Sequence, residues 1–246
     1  MPPESPTPDH EDFSEELDRL ERYYSEEFLP SNPWSTLRPR AYLYLRQRQR
    51  RVRQTMLECG FDTPERIRQL EILDVGSGGG TNIAWLIELG ADPARCSGID
   101  LLPQRVEAAR ARIPNVRWLA GDMTRADLGG PFDFVMLLAV LTSVTQARLK
   151  QRIVDRCFSV LKPGGVLFFY DVMSRRETPG TADYKPLTYS ETAAYFSGRP
   201  TRWFRRDLLE EALAERITRR LGVTAAELVQ ATGLFNMDAS FAYVRA

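Results

Sequence analysis

The sequence predicts an α/β fold in which a mainly parallel β-sheet carries helices on both faces. Two observations lead to this prediction. From residue 71 onward, short apolar segments that suit buried strands alternate with longer segments that suit amphipathic helices, and such alternation is typical of parallel sheets. The first of these strands also runs directly into a glycine-rich turn that opens a helix.

The composition is that of an ordinary globular chain. Its 246 residues are 43% hydrophobic and 27% charged, which suits one substantial α/β domain with a few additions. Lys and Arg together number 33, as do Asp and Glu, so the formal charge is zero. Bulk charge therefore gives no reason to expect a nucleic-acid partner or an acidic membrane.

The cysteines and the apolar runs indicate the compartment. Cys59, Cys96 and Cys157 are odd in number and widely spaced, which argues against a disulfide framework and against a zinc site. The N-terminus lacks a signal-peptide pattern, and no apolar run approaches membrane-spanning length. We therefore expect a cytoplasmic protein.

The first 69 residues are expected to be helical, after a short tail. Residues 1–11 contain four prolines and little to bury, which predicts a disordered tail. Residues 12–69 are predicted to form a lid of two helices. Their apolar stripes are Phe13, Leu17, Leu20 and Tyr24 in the first helix and Tyr42, Leu45, Val52 and Met56 in the second. Gly60 is expected to end the second helix in a left-handed conformation.

Residues 70–246 carry the alternating pattern. Predicted strands lie at 72–75, 97–100, 116–119, 134–138 and 166–170, and predicted helices at 81–89, 103–112 and 146–161. The last third is less regular, with an edge strand expected at 202–204, helices at 207–221 and 224–232, and a final antiparallel strand at 241–244. Thr224 is the expected N-cap of the last helix.

The strongest local signal is the turn Asp74-Val-Gly76-Ser-Gly78-Gly-Gly80-Thr81. Its glycines permit positive φ angles and let a ligand lie against bare backbone. The dinucleotide pattern G-x-G-x-x-G would require glycine at position 81, where Thr81 stands. The N-terminus of the next helix could hold a phosphate, whereas a ligand without phosphate could place an amino-acid tail in the same space.

Two further acids follow the next two strands. Asp100 closes Ser97-Gly98-Ile99, where one carboxylate can accept from both hydroxyls of a ribose. Asp122 follows Trp118-Leu-Ala-Gly121, where it can accept from an adenine amino group, and Met123 offers an apolar edge to the ring. All three acids are expected at the carboxyl ends of parallel strands, where open α/β sheets bind ligands.

Together these motifs resemble those of the class I S-adenosylmethionine-dependent methyltransferases. The matching pieces are Asp74 to Gly80, Gly98-Ile-Asp100-Leu-Leu, Gly121-Asp122-Met123 and Leu161-Lys-Pro-Gly-Gly165, in the family's order over residues 70–172. More loosely, Asn32-Pro33 followed by Tyr44-Leu-Arg-Gln47 is similar to the lead-in of a bacterial small-molecule branch. The resemblance implies a Rossmann-like seven-stranded sheet and S-adenosylmethionine as cofactor.

The resemblance also implies which residues bind the cofactor. The glycine loop and Asp74 would hold the methionine part, Asp100 the ribose and Asp122 the adenine. The expected cofactor-binding residues are Asp74, Gly76, Ser77, Gly78, Asn82, Asp100, Leu101, Arg105, Gly121, Asp122, Met123 and Leu138. No metal is expected.

Methyl transfer needs a general base only when the nucleophile arrives protonated. The one histidine, His10, lies in the expected tail, which disfavours deprotonation of the acceptor by histidine. Thr142 and Asp171 follow the fourth and fifth strands, where the acceptor is expected, and they are the candidate catalytic residues. A hydrogen bond from Asp171 to a loop is the simpler alternative.

The expected partner is a small-molecule acceptor that is methylated at oxygen or nitrogen, such as a specialised metabolite. Aromatic residues that could contact it are Tyr24, Trp34, Tyr42, Tyr170 and Trp203, although core packing would explain each of them. A protein methyltransferase and a module that binds the cofactor without methyl transfer are the alternatives. A nicotinamide dehydrogenase is disfavoured by Thr81. The arginines between 46 and 53 could form a nucleic-acid surface, but interleaved glutamines favour a solvated helix face.

Overall fold

The computed structural model of the chain describes residues 13–28, 35–174, 177, 179–237 and 239–245. The predicted tail, residues 1–11, lies outside these ranges. The strands are β1 Ile72–Val75, β2 Cys96–Asp100, β3 Arg117–Ala120, β4 Phe132–Leu138, β5 Leu161–Ser174, β6 Leu187–Thr188, β7 Thr201–Phe204, β8 Leu208–Leu209, β9 Asn236–Met237 and β10 Ala239–Arg245.

The helices fall before, between and after these strands. They are α1 Ser14–Arg22, α2 Pro39–Glu58, α3 Pro64–Arg68, α4 Thr81–Glu88, α5 Pro103–Arg112, α6 Ala147–Ser159, α7 Tyr189–Tyr195, α8 Glu211–Leu221 and α9 Val223–Ala231. A π-helical segment, Tyr23–Phe28, continues α1. Between β1 and α6 the predicted bounds agree with the structure to within two residues, whereas β5 extends well beyond the predicted 166–170.

The central sheet has the strand order β3-β2-β1-β4-β5-β10-β7, and the short β6 pairs with the end of β5. Strands β1 to β5 all run parallel to one another, whereas β10 is antiparallel to its two neighbours, β5 and β7. The predicted α/β fold, with its mainly parallel sheet and antiparallel last strand, is confirmed. The chain winds outward from β1 to β3 and then returns to β4, so the topological switch point, where such sheets bind ligands, lies between β1 and β4.

The sheet separates two apolar cores, because successive side chains of a strand point to opposite faces. Helices α2, α4, α5, α8 and α9 pack on one face, which contains Ile83 and Phe168. Helices α1, α6 and α7 pack on the other face, which contains Leu149 and Phe169. The predicted helices on both faces are therefore confirmed, and both layers reach the carboxyl ends of the strands.

Helix α2 buries a wider face than the predicted stripe. Leu43 and Tyr44 are buried, whereas Tyr42, which the sequence placed on the stripe, is 39% exposed. The stripe was wrong at this point because α2 packs on α8 and α9 as well as on the sheet, and the Tyr44 hydroxyl donates to the Leu209 carbonyl at 2.8 Å. The predicted end at Gly60 is confirmed, since its φ is +86°.

The last third departs most from the predictions. Helix α8 begins at Glu211 instead of 207 because the Asp207 carboxylate binds Gln47 and Arg51 of α2, and the Glu210 side chain caps α8. Gly222, not Thr224, precedes α9, and no side chain caps that helix. The sequence also missed α3, α7 and the short strands β6, β8 and β9.

Candidate functional site

A cleft of about 760 Å³, including the space open to solvent, lies at the carboxyl ends of β1 to β4. Seven of the predicted cofactor-binding residues line it: Gly76, Asp100, Leu101, Arg105, Gly121, Asp122 and Met123. Leu17, Leu20 and Tyr24 line it from α1 and the π-helical segment. The structure thus brings the turn after β1 and the acids after β2 and β3 together, as the motif order predicted.

The glycine loop is fixed to the end of β2. The N–H groups of Gly76 and Ser77 both donate to the Ile99 carbonyl at 2.9 Å. Gly76 has a φ of +69°, and a Cβ atom built on it would lie 2.6 Å from Cγ2 of Val140. Only glycine suits this position, because both the backbone conformation and the space exclude a side chain.

Asp100 is held rigidly at the rim of the cleft. Its Oδ2 atom accepts from the Gly78 N–H at 2.8 Å, and its Oδ1 atom accepts from the Leu102 N–H at 3.0 Å. A guanidinium nitrogen of Arg105 lies 3.8 Å from Oδ2. The carboxylate is 6% exposed, so it is fixed in place while lone pairs still face the cleft, and it can accept from a vicinal diol.

Asp122 both fixes a turn and lines the cleft. Its Oδ1 atom accepts from the Thr124 N–H at 2.8 Å, which fixes the turn after β3. The same residue lines the cleft beside Met123, and its Oδ2 atom lies 3.7 Å from Nε of Arg125. The turn bond orients the carboxylate, and the cleft gives it access to a ligand.

Asp74 lies at the base of the glycine loop and is fully buried. Its Oδ2 atom accepts from Nδ2 of Asn82 at 3.0 Å, whereas its Oδ1 atom has no hydrogen-bond partner in the described chain. Burial raises the pKa of Asp74 to about 7, although the Asn82 hydrogen bond and the charge of Arg48 lower it. A buried carboxylate oxygen without a donor is costly, so this atom is suited to receive a cationic donor from a ligand.

Arg48 is a functional candidate that the sequence reasoning missed. It projects from α2 to the start of α4, where it borders a small cavity with Thr81 and Asn82. Burial lowers the pKa of Arg48, and the charge of Asp74 offsets part of this effect. A signal was available in the sequence, because Arg48 lies four residues from both Tyr44 and Val52, which are buried residues of the same helix.

Other predicted cofactor residues lie behind the surface of the cleft. Ser77 is buried, and its Cβ lies 3.0 Å from the position that a Cβ on Gly98 would occupy. Leu138 belongs to the core on the face of α2. Ala139 and Val140, which follow Leu138, line the cleft instead. Ala139 has a positive φ of 56°, a conformation that is rare for a residue with a side chain and is common at functional sites.

The structure brings the two candidate catalytic residues, Asp171 and Thr142, into direct contact. The Thr142 hydroxyl donates to Oδ1 of Asp171 at 2.6 Å, and the Thr142 N–H donates to Oδ2 at 3.1 Å. The Val172 N–H also donates to Oδ1, at 3.0 Å. Burial raises the pKa of Asp171 to about 6, although these hydrogen bonds oppose the effect. Asp171 therefore ties the turn after β4 to the end of β5.

The π-helical segment and α1 are fastened to that turn. Tyr24 shares a hydrogen bond of 2.6 Å with the Ser143 hydroxyl. Arg19 donates to the Ser143 carbonyl at 2.6 Å and to Asp183 at 2.7 Å, while Glu16 accepts from the Thr145 hydroxyl at 2.9 Å. These contacts hold α1 over the side of the cleft that Leu17 and Leu20 line.

The predicted substrate-binding aromatic residues lie at different places relative to the cleft. Tyr24 lines the cleft, and Tyr170 is buried and stacked on Phe241, with ring centroids 4.5 Å apart. The structure does not bring Tyr42 or Trp203 to the cleft, which corrects both predictions. Tyr42 faces outward on α2 under Arg46, and Trp203 lies on the edge strand β7. Trp34 lies outside the described residues.

No cluster of three or more His, Cys, Asp or Glu side chains is arranged to hold a metal ion in the described part of the chain. None of the helices described above is both long enough and apolar enough to cross a membrane.

Comparison with known proteins points to one family. A family model described as a methyltransferase domain matches residues 72–165, which include the glycine loop, Asp100 and Asp122. The chain is 32% identical over 136 residues to the arsenite methyltransferase of Mus musculus, a match that covers 49% of this chain and 35% of the relative. The chain thus spans about a third of the length of that relative.

Solved structures match over a larger part of the chain. Magnesium protoporphyrin IX methyltransferase from Synechocystis PCC 6803, solved with bound S-adenosylmethionine, aligns with 98% of this chain and 100% of its own at a TM-score of 0.62 and 14% identity. 1,6-Didemethyltoxoflavin-N1-methyltransferase from Burkholderia thailandensis aligns with 99% and 93% at a TM-score of 0.59 and 17% identity. At these identities the likeness shows a common fold.

Proposed function

We propose that this chain, which belongs to the class I S-adenosylmethionine-dependent methyltransferases, transfers the methyl group of its cofactor to an oxygen or nitrogen of a small molecule. The family and the cofactor are those that the sequence predicted. The acceptor atom and the acceptor itself belong to the proposal.

The observation that carries the proposal is a pair of complementary charges at the glycine loop. Oδ1 of Asp74 has no hydrogen-bond donor within the described part of the chain, and the guanidinium of the half-buried Arg48 interacts electrostatically with that carboxylate. The methionine part of the cofactor carries an ammonium and a carboxylate on the same carbon. Asp74 would accept from the ammonium, and Arg48 would donate to the carboxylate.

The remainder of the cofactor would lie in the cleft. Asp100 would accept from the two ribose hydroxyls, in the position that its bonds to Gly78 and Leu102 fix. Asp122 would accept from the adenine amino group, and Met123 would pack against the ring. The lining of the cleft is mostly apolar side chains, which suits the burial of a purine.

The bound cofactor would supply a methyl group that is already activated by a sulfonium. The chain has to bind and orient both reactants and exclude water, which accounts for a large share of the rate in such displacements. Gly76 and Val140 pack together beside the methionine position, and the Asp171–Thr142 contact holds the turn that carries Val140. We assign Asp171 and Thr142 to positioning of this turn, because each already uses its polar atoms within the protein.

A lid is part of the proposal, in a smaller form than the sequence predicted. Helix α2 buries seven residues, which include Leu43, Val52 and Met56, so it cannot leave the sheet while the protein stays folded. Helix α1 buries two residues, Glu16 and Leu20. Helix α1 and the π-helical segment contact the cleft mainly through Leu17, Leu20 and Tyr24. We therefore restrict the proposed lid to residues 13–28.

The cysteines do not favour arsenite as the acceptor, although arsenite methyltransferases are among the relatives. Trivalent arsenic binds thiolates, which need accessible cysteines of low pKa. Burial raises the pKa of Cys96 and Cys157 to about 12 each. Cys96 begins β2, at the end of the strand opposite the cleft, and Cys59 caps the far end of α2.

A nucleic-acid acceptor is not favoured either. Arg46 and Arg50 of α2 pair with Glu227, and Arg51 pairs with Asp207. These three arginines therefore join α2 to the C-terminal part of the chain. The small-molecule partner of the protein and its cytoplasmic location both stay predictions.

Calorimetric titration of the full chain with S-adenosylmethionine, S-adenosylhomocysteine and NAD tests the proposal. We expect micromolar binding of the first two and none of NAD. Binding of NAD, or of none of the three, would refute the cofactor assignment. Incubation with methyl-labelled cofactor and a metabolite extract separates the enzyme from the non-catalytic module, because only the enzyme releases a labelled product.

A further inference from the structure

Three tyrosines lie near the turn after β4 that Asp171 holds, beside the cofactor cleft. We name Tyr23, Tyr24, Tyr184 and Asp171 the acceptor cluster. Tyr23 and Tyr24 meet edge to face, with ring centroids 5.1 Å apart. The Lys185 N–H donates to the Thr142 carbonyl at 2.8 Å, which brings the adjacent Tyr184 to the turn that Asp171 holds. Three segments that are distant in sequence therefore meet at this point.

The turn that carries Thr142 and Ser143 links these residues, because Asp171 accepts from Thr142 and Tyr24 bonds Ser143. Burial raises the pKa of Tyr24 and of Tyr184, and the charges of Asp171 and Tyr23 raise both further. Tyr184 and Asp171 also raise the pKa of Tyr170, which precedes Asp171 in β5. The tyrosines stay neutral at physiological pH, so Asp171 carries the only charge of the acceptor cluster.

The charged groups around the acceptor cluster add to its negative character. Glu16 and Asp183 flank it from α1 and from the loop after β5, and Arg19 pairs with both of them. Together with Asp171, these groups leave an excess of negative charge at this side of the cleft.

Two cations near the acceptor cluster, Arg105 and Arg48, also interact with acids that we assign to the cofactor. Arg105 lies over the Tyr24 ring at 4.9 Å but also 3.8 Å from Asp100. Arg48 interacts with Tyr170 as well as with Asp74, and we have assigned it to the cofactor carboxylate. Glu211, which also acts on Tyr184, pairs with Arg40 at 2.6 Å.

We propose that the acceptor cluster binds an amine and that the methylated atom is nitrogen, an inference that rests on the proposed function. Tyrosine rings and a carboxylate attract cationic nitrogen through cation–π and Coulomb interactions. An anionic oxygen would face Asp171 instead and would be repelled. A neutral hydroxyl would need a general base, and the Asp171 oxygens already accept from Thr142 and Val172.

The reaction at this cluster balances without a protein base. The amine releases a proton to solvent, and its lone pair then forms a bond to the methyl carbon while the carbon–sulfur bond breaks. The electron pair of that bond stays on sulfur, which becomes a neutral thioether. The positive charge thus moves from sulfur to nitrogen, where the tyrosine rings and the Asp171 carboxylate stabilise it, and the product later loses a proton to solvent.

Calorimetry with three probes that share one ring tests this assignment. Tyramine, tyrosol and 4-hydroxyphenylacetate differ in their end group, which is an amine, a hydroxyl or a carboxylate. Each is titrated into the full chain saturated with S-adenosylhomocysteine. We expect tyramine to bind at least about tenfold more tightly than 4-hydroxyphenylacetate, with tyrosol in between. Equal binding, the reverse order or binding of none of the probes would overturn the assignment.

Two variants and a control make the test specific. Tyr184→Ala should remove most of the preference for tyramine while S-adenosylhomocysteine still binds. Asp171→Asn, which keeps the size of the side chain and removes its charge, should also remove most of the preference. Tyr195→Phe is the matched control, because Tyr195 is a buried tyrosine of α7 that bonds Glu191 outside the acceptor cluster. A preference that survives in both cluster variants would also overturn the assignment. Failure of S-adenosylhomocysteine to bind the unmodified chain would instead refute the proposed function.

Discussion

The two halves of the cleft are built in different ways. Apart from Arg48, which reaches in from α2, the cofactor half consists of turns that directly follow β1, β2 and β3. Each of its other functional residues is therefore fixed by its own strand and by backbone bonds such as Gly78 N–H to Asp100. The acceptor half consists of α1, the π-helical segment, the turn after β4 and the loop around Asp183, which side-chain bonds hold together. The cofactor half is therefore held mainly by bonds between residues next to the strands, whereas the acceptor half depends on contacts between segments that are distant in sequence.

The largest effect is expected in the glycine loop of the cofactor half. Gly76→Ala imposes a positive φ on alanine, which costs about 1 kcal/mol, and it places Cβ 2.6 Å from Val140. We expect the affinity for S-adenosylhomocysteine to fall by about 100-fold or more in calorimetry. Gly60→Ala is the matched control, because its φ is also positive, no atom lies within 4 Å of the added Cβ, and the residue does not line the cleft. Equal losses in both variants would show that the steric argument is wrong.

A slightly smaller effect is expected for pH, through Asp74. Burial raises the pKa of this residue to about 7, and a ligand ammonium requires the ionised form. Affinity should therefore rise with pH up to about 8 and be about 100-fold weaker at pH 5. Calorimetry of S-adenosylhomocysteine across this range checks the sign. Asp74→Asn should bind weakly and with little pH dependence, and an unchanged pH profile in that variant would contradict the assignment.

A third expected effect separates the two acids at the far end of the cofactor half. Asp100→Ala removes a carboxylate that fixes the glycine loop and faces the ribose position, and we expect affinity to fall about 30-fold or more. Asp122→Ala should cost less, because part of its role is the turn bond to Thr124. Asp92→Ala, at the opposite end of β2, should leave affinity unchanged. Unchanged affinity in Asp100→Ala would refute the ribose assignment.

The same contrast explains how much could be predicted from the sequence. The run from β1 to α6 and the turn after β1 follow from local pattern, because strand, glycine turn and helix are adjacent in the chain. Arg48 and Tyr184 were missed because their roles arise only when α2 and the loop after β5 pack against the sheet. Asp207 was placed in a helix for the same reason, since its binding to Arg51 joins residues 156 apart.

The smallest effect is expected in the acceptor half, at the contacts that fasten α1. Arg19→Gln removes the ion pair to Asp183 and weakens the bond to Ser143, and such part-buried pairs contribute about 1 kcal/mol or less. We expect S-adenosylhomocysteine to dissociate about threefold to fivefold faster, as measured by stopped-flow displacement. Lys185→Gln is the control, because its ion pair with Glu177 lies on the surface. Equal rates in the two variants would argue against a lid.

The most direct test of the central claim compares two ligands that differ only in the amino-acid tail. S-adenosylhomocysteine carries the tail, and 5′-methylthioadenosine lacks it. If Arg48 binds the tail carboxylate, Arg48→Gln should weaken S-adenosylhomocysteine by about tenfold or more and leave 5′-methylthioadenosine within about twofold. Arg50 lies two residues after Arg48 in α2 and pairs with Glu227, so Arg50→Gln should change neither affinity. If Arg48→Gln lost the same affinity for both ligands, or lost none for either, the assignment of Arg48 to the tail carboxylate beside Asp74 would be wrong.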